Sequence, residues 1–237
     1  MKHDRSRSTD IDLASLRSIL PPHVAVAEAA GAPPAESLLP EEAACLGRVA
    51  KVRLDDFSRG RSCARAALKQ LGLRPVAILR GADREPLWPP GIVGSITHCR
   101  GYAAAAVARR ERIATIGIDA EPHEKLPEGV LAMVALPSEA AWIAANPDTR
   151  MCFDRLLFSI KECVYKAWFP LTGRWLGFED VCVTFEPESE SFEARFVVAG
   201  PLIDGIAVPA FRGRYRADAA RLLCAIAVEN DAAGSIA

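Results

Sequence analysis

Three apolar runs, Ile92–Thr97, Tyr102–Ala108 and Ile113–Asp119, follow one another through links that carry little more than Arg100-Gly101 and Arg109–Arg112. Strands joined so closely pair antiparallel, so the middle of the chain predicts a meander. Helical patterns flank it. Upstream, Pro40-Glu41-Glu42 opens a helix with proline at its start and acids in its first turn, both matched to the macrodipole, running to about Leu54. A second helix over roughly Asp55–Leu71 stops at Gly72. Leu13–Leu20 reads as a short helix ended by Pro21-Pro22, Val24–Glu28 as a strand before a loop rich in Pro and Ala, and Val76–Leu79 as a short strand. Past a linker marked by Pro122 and Pro127 come short helices at Pro127–Ala135 and Ser138–Ala145, then a long one at Asp154–Trp168. The last third returns to strands, at Val181–Phe185, Phe192–Val198, Ile206–Arg216 with a break at Pro209, and Leu222–Val228. Helices followed by an antiparallel meander therefore occur twice. That order predicts an α+β protein of two pseudo-symmetric halves, 13–121 and 122–237, each an antiparallel sheet with a long helix, and a ligand cleft between them. No repeat in the sequence itself supports the symmetry.

Half of the 237 residues are hydrophobic, enough to bury a substantial core. Twenty-nine basic and 30 acidic residues leave a formal net charge of −1, so no global field selects nucleic acid or membrane. Any anion site must be local, which points to a small charged ligand. Residues 1–12 mix acids and bases without an apolar stretch and are expected to form a disordered leader rather than a signal peptide or anchor. The protein is expected to be soluble and cytoplasmic, and a monomer is the simpler arrangement. Seven cysteines lie singly, with no CxxC pair, and suggest neither zinc nor a disulfide framework.

Chemistry concentrates in a few places. In FSIKECVYK, Phe158–Lys166, the acid Glu162 and the base Lys166 are one helical turn apart and share a stripe with Phe158 and Tyr165. In GIDAE, Asp119 and Glu121 close an apolar strand and point to one face, because side chains two apart on a strand do so. Like charges that close repel unless a cation joins them, and Glu162 adds a third oxygen donor. Magnesium fits such an incomplete octahedron, with substrate phosphate filling other positions; manganese is an alternative. GSITH ends in Thr97 and His98, which with Arg100 and the Arg80–Arg84 turn form a candidate anion site.

The order GSITH, GIDAE, FSIKECVYKAW closely resembles the Sfp-type phosphopantetheinyl transferases, whose motifs are a Ser/Thr-His strand end, G-I-D-x-E, and a W/F-x-x-K-E-x-x-x-K-A helix. Similarity extends upstream to RGRSCARAAL and DREPLWPPG and downstream to WFPLTGRWLGFED, so it spans roughly 48–185 and looks closest to actinobacterial enzymes. Phe158 stands where tryptophan is common, and Cys163 where alanine or serine is. The resemblance implies transfer of the 4'-phosphopantetheine arm of coenzyme A to a serine of apo acyl or peptidyl carrier proteins of polyketide, nonribosomal peptide or siderophore pathways, with release of adenosine 3',5'-bisphosphate. Asp119, Glu121 and Glu162 would hold magnesium on the diphosphate. Lys166 would stabilise or protonate the departing phosphate, and Lys161 would pair with phosphate or solvent. The base would be Glu162 or a metal-bound water. Mapped by position, Arg53, Arg61, Arg80 and His98 resemble contacts to the nucleotide phosphates, with Thr97 and Arg84 beside them. Phe158, Tyr165, Trp175 and Leu176 could wall a groove for the pantetheine arm, and Arg212, Arg214 and Arg216 could form a basic rim for an acidic carrier. Two other readings use the same residues: a metal-dependent phosphodiesterase or nuclease, and a non-catalytic module binding coenzyme A or carrier protein.

Overall fold

The computed structural model describes residues 14–31, 38–47, 49–148 and 150–230. The leader expected at 1–12 and most of the loop rich in Pro and Ala lie outside the described residues. In chain order the strands and helices are β1 (Ala25–Ala30), α1 (Pro40–Ala44), α2 (Lys51–Gln70), β2 (Leu79–Arg80), β3 (Pro86–Leu87), β4 (Ile92–Cys99), β5 (Tyr102–Arg109), β6 (Ile113–Pro122), α3 (Val130–Val134), α4 (Pro137–Ala145), α5 (Phe153–Thr172), β7 (Val181–Glu186), β8 (Ser191–Phe196), β9 (Leu202–Ile203), β10 (Ile206–Ala207), β11 (Ala210–Ala217) and β12 (Arg221–Glu229). The N-terminal helix expected at Leu13–Leu20 is a single 3-10 turn, Leu16–Ser18. The boundary expected near Leu54 falls earlier. Gly47, with φ 59°, takes the left-handed conformation just beyond α1, and residues 51–70 then form one continuous helix.

The meander does not close as expected. β5 is central in a three-stranded sheet of order β1-β5-β4, while β6 leaves it and pairs antiparallel with β12 at the edge of a five-stranded sheet, β6-β12-β11-β8-β7. The sheets therefore divide the chain between β5 and β6, ahead of the seam expected at 121/122. The physical reason lies in what β6 buries. All of its residues from Ile113 to Ala120 are buried, with Ile116, Ile118 and Ala120 packed among Val26, Ala104, Ala106, Leu223 and Ala225. Its opposite face lies against α5. A strand covered on both faces reads as a continuous apolar run, and such a run does not say which neighbour it will pair with.

The edges of β4 and β6 nevertheless lie together. Ser95 Oγ accepts from the Ile118 amide at 3.2 Å and Thr97 Oγ1 from the Ala120 amide at 3.0 Å. Two hydroxyls thus satisfy backbone donors that a ladder would otherwise use.

The halves share a device. Leu39-Pro40-Glu41-Glu42-Ala43-Ala44 and Leu136-Pro137-Ser138-Glu139-Ala140-Ala141 open α1 and α4 alike, a short repeat that the sequence reading missed. In each, the buried glutamate caps its own helix, accepting from the Leu39 amide at 3.0 Å or the Leu136 amide at 2.7 Å. Each also accepts a backbone amide from farther along the chain, Ile78 at 3.1 Å or Val183 at 2.7 Å. Each pairs with a cation on the following long helix, Arg65 on α2 or Lys161 on α5.

Helix α5 approaches β6 so closely that a Cβ on Gly117 would stand 2.1 Å from the Cys163 carbonyl oxygen. Backbone cannot yield there, so Gly117→Ala should cost about 3 kcal/mol, the upper range for overpacking. Urea denaturation measures this; an unchanged midpoint would show that the helix can lift away freely.

Candidate active site

Each residue on the α5 side of β6 meets α5 at regular intervals. Thr115 Oγ1 donates to the Ala167 carbonyl at 2.7 Å, Gly117 lies under Cys163, Asp119 Oδ2 accepts from Ser159 Oγ at 2.7 Å, and Glu121 Oε2 accepts from Arg155 Nη1 at 3.0 Å. Two residues of strand advance about 6.6 Å and four residues of helix 6 Å, so strand and helix stay in step while running in opposite directions. Glu162 and Lys166 occupy the adjacent stripe of the same helix and flank Asp119.

Asp119 is the hub. It is 5% exposed, and besides Ser159 it accepts from Thr97 Oγ1 at 3.2 Å and from Lys166 Nζ at 2.6 Å. Lys166 Nζ also reaches the Ile118 carbonyl at 3.2 Å. Burial disfavours the Lys166 ammonium, but Asp119 at hydrogen-bond distance and Glu162 nearby outweigh that, so the amine's pKa is raised and the group stays charged. The carboxyl of Glu162 is shifted upward, chiefly by desolvation, with Lys166 opposing and Asp119 reinforcing. Glu121 is shifted upward by desolvation and then by Asp119, with Arg155 pulling the other way. Three carboxylates therefore influence one another across β6 and α5. Among the described residues no group of three or more His, Cys, Asp or Glu is drawn tightly enough to cage a metal by itself. Asp119, Glu121 and Glu162 offer hard oxygen donors, the kind a divalent cation takes together with substrate phosphates.

Two clefts open beside this cluster. One, of about 400 Å³, is lined by Arg53, Arg61, Arg80, Arg84 and His98 together with Asp56 and Phe57. The other, of about 740 Å³, runs along α5 past Glu162, Tyr165, Lys166 and Phe169 and along the facing segment through Trp88. Arg84, Pro86 and Ile96 line both, so the clefts are neighbours that share a wall. Arg84 has φ 74°, an unfavourable left-handed conformation for an arginine, held in the tight Gly81–Glu85 turn by the Arg84 amide bond to the Gly81 carbonyl and the Gly81 amide bond to the Glu85 carbonyl.

The description "4'-phosphopantetheinyl transferase N-terminal domain" matches residues 41–108, and "4'-phosphopantetheinyl transferase superfamily" matches residues 115–206. The chain belongs to the 4'-phosphopantetheinyl transferase superfamily. It is 46% identical over 217 residues to the 4'-phosphopantetheinyl transferase PptT of Mycobacterium tuberculosis, covering 88% of this chain and 96% of the relative. To Svp of Streptomyces mobaraensis it is 49% identical over 199 residues, 82% of this chain and 80% of the relative. To Npt of Nocardia iowensis it is 46% identical over 220 residues, 90% and 99% of the two chains. The similarity to actinobacterial enzymes expected from the motifs is borne out, and the chain is a transferase of this type, moving phosphopantetheine to carrier proteins.

Within the transferase, Arg53, Arg61, Arg80, Arg84 and His98 do meet in one cleft, whereas other expectations change. Lys161 is 3% exposed, its ammonium held by Glu139 Oε2 at 2.7 Å and by the carbonyls of Phe178 at 2.8 Å and Val134 at 2.9 Å, so it faces the core and not a phosphate. Thr97 is buried and orients Asp119, and so is not an outward anion contact. Trp175 is 79% exposed and packs its ring 5.2 Å from Tyr165 without lining either cleft. Leu176 joins the core of the C-terminal half, and Phe158 leans on Phe178 at 6.0 Å. Arg61 lines its cleft but also donates from Nε to the Ile78 carbonyl at 3.0 Å and lies over Phe57, and burial lowers its pKa to about 10. The proposed basic rim is largely neutralised: Arg212 pairs with Glu193 at 2.8 Å and Arg216 with Glu190.

Sequence reasoning missed Ser95, Ser159, Arg155 and Asp56. The signal for two of them was present. Arg155, Ser159, Glu162 and Lys166 follow an i, i+4, i+7, i+11 pattern, one helical face.

The new place of Lys161 has a measurable consequence. Replacing one partner of a buried ion pair strands the other charge, so Lys161→Met should destabilise by about 3–5 kcal/mol in denaturant titration. The fraction that remains folded should bind coenzyme A as wild type does. Weakened binding with unchanged stability would return Lys161 to the ligand site.

Proposed function

We propose that this transferase takes the 4'-phosphopantetheine arm from coenzyme A, places it on a serine of an apo acyl or peptidyl carrier protein, and releases adenosine 3',5'-bisphosphate, with magnesium in the site and in the cytoplasm. The observation that carries this reading is that the two clefts adjoin, sharing Arg84, Pro86 and Ile96. Coenzyme A has a polyanionic nucleotide end and a long, mildly polar arm joined at a diphosphate. A cleft walled by four arginines and a histidine suits the first, and a larger cleft with Trp88, Tyr165 and Phe169 suits the second. The diphosphate would then lie where they adjoin, against Arg84, with Lys166 in the larger cleft.

Magnesium would be held by Asp119, Glu121 and Glu162, and would neutralise charge on the diphosphate and serve as a template. The remaining chemistry falls to side chains. The serine hydroxyl attacks the phosphorus next to the arm, its O–P bond forming as the bond to the nucleotide phosphate breaks. Glu162, one helical turn from Lys166 and lining the larger cleft, takes the hydroxyl proton. Lys166 keeps its proton, since Asp119 holds the amine as an ammonium; its part is electrostatic, opposing the charge that grows on the departing phosphate. Ser159 and Thr97 fix the orientation of Asp119.

The test is direct. Incubated with apo carrier proteins, coenzyme A and magnesium, the enzyme should raise a carrier's mass by one phosphopantetheine, and no gain across several carriers would overturn the reading. Asp119→Ala and Glu162→Ala should abolish transfer; Glu162→Ala should leave the melting transition in place, whereas Asp119→Ala also strands Lys166 and should lower it. Arg80→Ala should raise the coenzyme A KM by roughly tenfold or more with kcat little altered, as expected when a charge-assisted hydrogen bond of binding is lost. A fall in kcat alone would place Arg80 in the chemical step instead.

A further inference from the structure

We infer that Arg155 is a positioning residue for Glu121, fixing which carboxylate oxygen faces the metal; the inference rests on the magnesium reading above. Arg155 forms the last rung of the α5–β6 ladder, and its guanidinium is held at three nitrogens. Nη1 donates to Glu121 Oε2 at 3.0 Å, Nε to the Glu124 carbonyl at 3.1 Å, and Nη2 to the Lys125 carbonyl at 3.0 Å. Its side chain is 12% exposed and that of Glu121 20%, so little water competes for these bonds. A planar fork tied at both ends to backbone cannot swing, and it holds the carboxylate in one rotamer. The bond engages Oε2; among the described residues Oε1 accepts no hydrogen bond and is the oxygen left for a cation.

Charge supports the same assignment. Asp119, Glu121 and Glu162 bring three negative charges, and Lys166 and Arg155 two positive ones. One negative charge is left over, which a divalent cation would compensate. A purely structural account, in which Arg155 only ties down the stretch after β6, is weakened by other ties already there. The Leu126 amide donates to Asp154 Oδ2 at 2.9 Å, the His123 amide to the Ala220 carbonyl at 3.1 Å, and the His123 ring meets the Asp218 carbonyl at 2.6 Å. None of these needs a guanidinium on a carboxylate.

The experiment titrates manganese as the probe into the full-length enzyme with coenzyme A present, following free Mn²⁺ by electron paramagnetic resonance, alongside the Mg²⁺ dependence of transfer. Arg155→Met should weaken Mn²⁺ binding by about 10- to 100-fold, the usual loss when a group orienting a metal ligand is removed. The half-saturating Mg²⁺ concentration should rise in parallel, while the coenzyme A KM at saturating Mg²⁺ stays within about twofold of wild type by the same reasoning. Arg155→Lys, which restores the charge but not the fork, should recover part of the affinity. Asp154→Ala, which cuts the neighbouring tie without touching Glu121, should leave Mn²⁺ binding unchanged. Wild-type Mn²⁺ affinity in Arg155→Met overturns the inference, as does an equal loss in Asp154→Ala. Should Arg155→Met fail to fold, Arg155→Lys decides, and full Mn²⁺ affinity there overturns it. If the wild type with coenzyme A takes up no Mn²⁺ at all, the magnesium reading itself falls and this inference with it.

Discussion

The antiparallel register of α5 on β6 is the constraint from which the site follows. A strand step of two residues and a helix step of four differ by less than 1 Å in typical advance, about 6.6 against 6 Å, so contacts repeat for as long as the two run together. The first rungs, Thr115 to Ala167 and Gly117 under Cys163, carry no chemistry. They set the spacing at which Ser159 reaches Asp119 and Arg155 reaches Glu121. The glycine between them matters because a side chain there would push the helix off the strand and pull every later rung out of hydrogen-bond reach.

A second constraint is the junction of two sheet edges. Had β4 and β6 paired by a backbone ladder, Asp119 would sit in a continuous sheet with its surroundings filled. Hydroxyls of Ser95 and Thr97 take the place of ladder carbonyls, satisfying the Ile118 and Ala120 amides. The Ile118 carbonyl turns instead to Lys166. The cleft thus opens where the two halves meet, and its polar groups are paired without being consumed by secondary structure.

The two halves are held in corresponding ways. Glu42 with Arg65 and Glu139 with Lys161 each gather a helix start, a distant backbone amide and a long helix around one buried carboxylate. In the N-terminal half this anchors the segment that leads to Arg80 against the helix bearing Arg53 and Arg61. In the C-terminal half it fixes α4 and the start of β7 against α5. Lys161 is adjacent in sequence to Glu162 yet points the opposite way, since neighbours on a helix are about 100° apart. Adjacency on paper placed it in the site; helical geometry places it in the core.

Local pattern was enough for the α+β class, for nearly every helix and strand, and for the identity of the acids and bases, because periodicity and short motifs are properties of neighbouring residues. The four arginines and the histidine of the smaller cleft were also legible, by position within the resemblance. Pairing was not. That β6 leaves β5 for β12, more than 100 residues later, depends on which buried faces fit one another, and an apolar run carries no label for its partner. Direction was hidden as well: Thr97 turns inward to Asp119, Lys161 turns to Glu139, and Trp175 stays outside both clefts. The sequence by itself determined which chemical groups the protein has and on which kinds of element they stand. Only the tertiary structure decided which of them meet, because a side chain's partners across a fold are set by packing between segments distant along the chain.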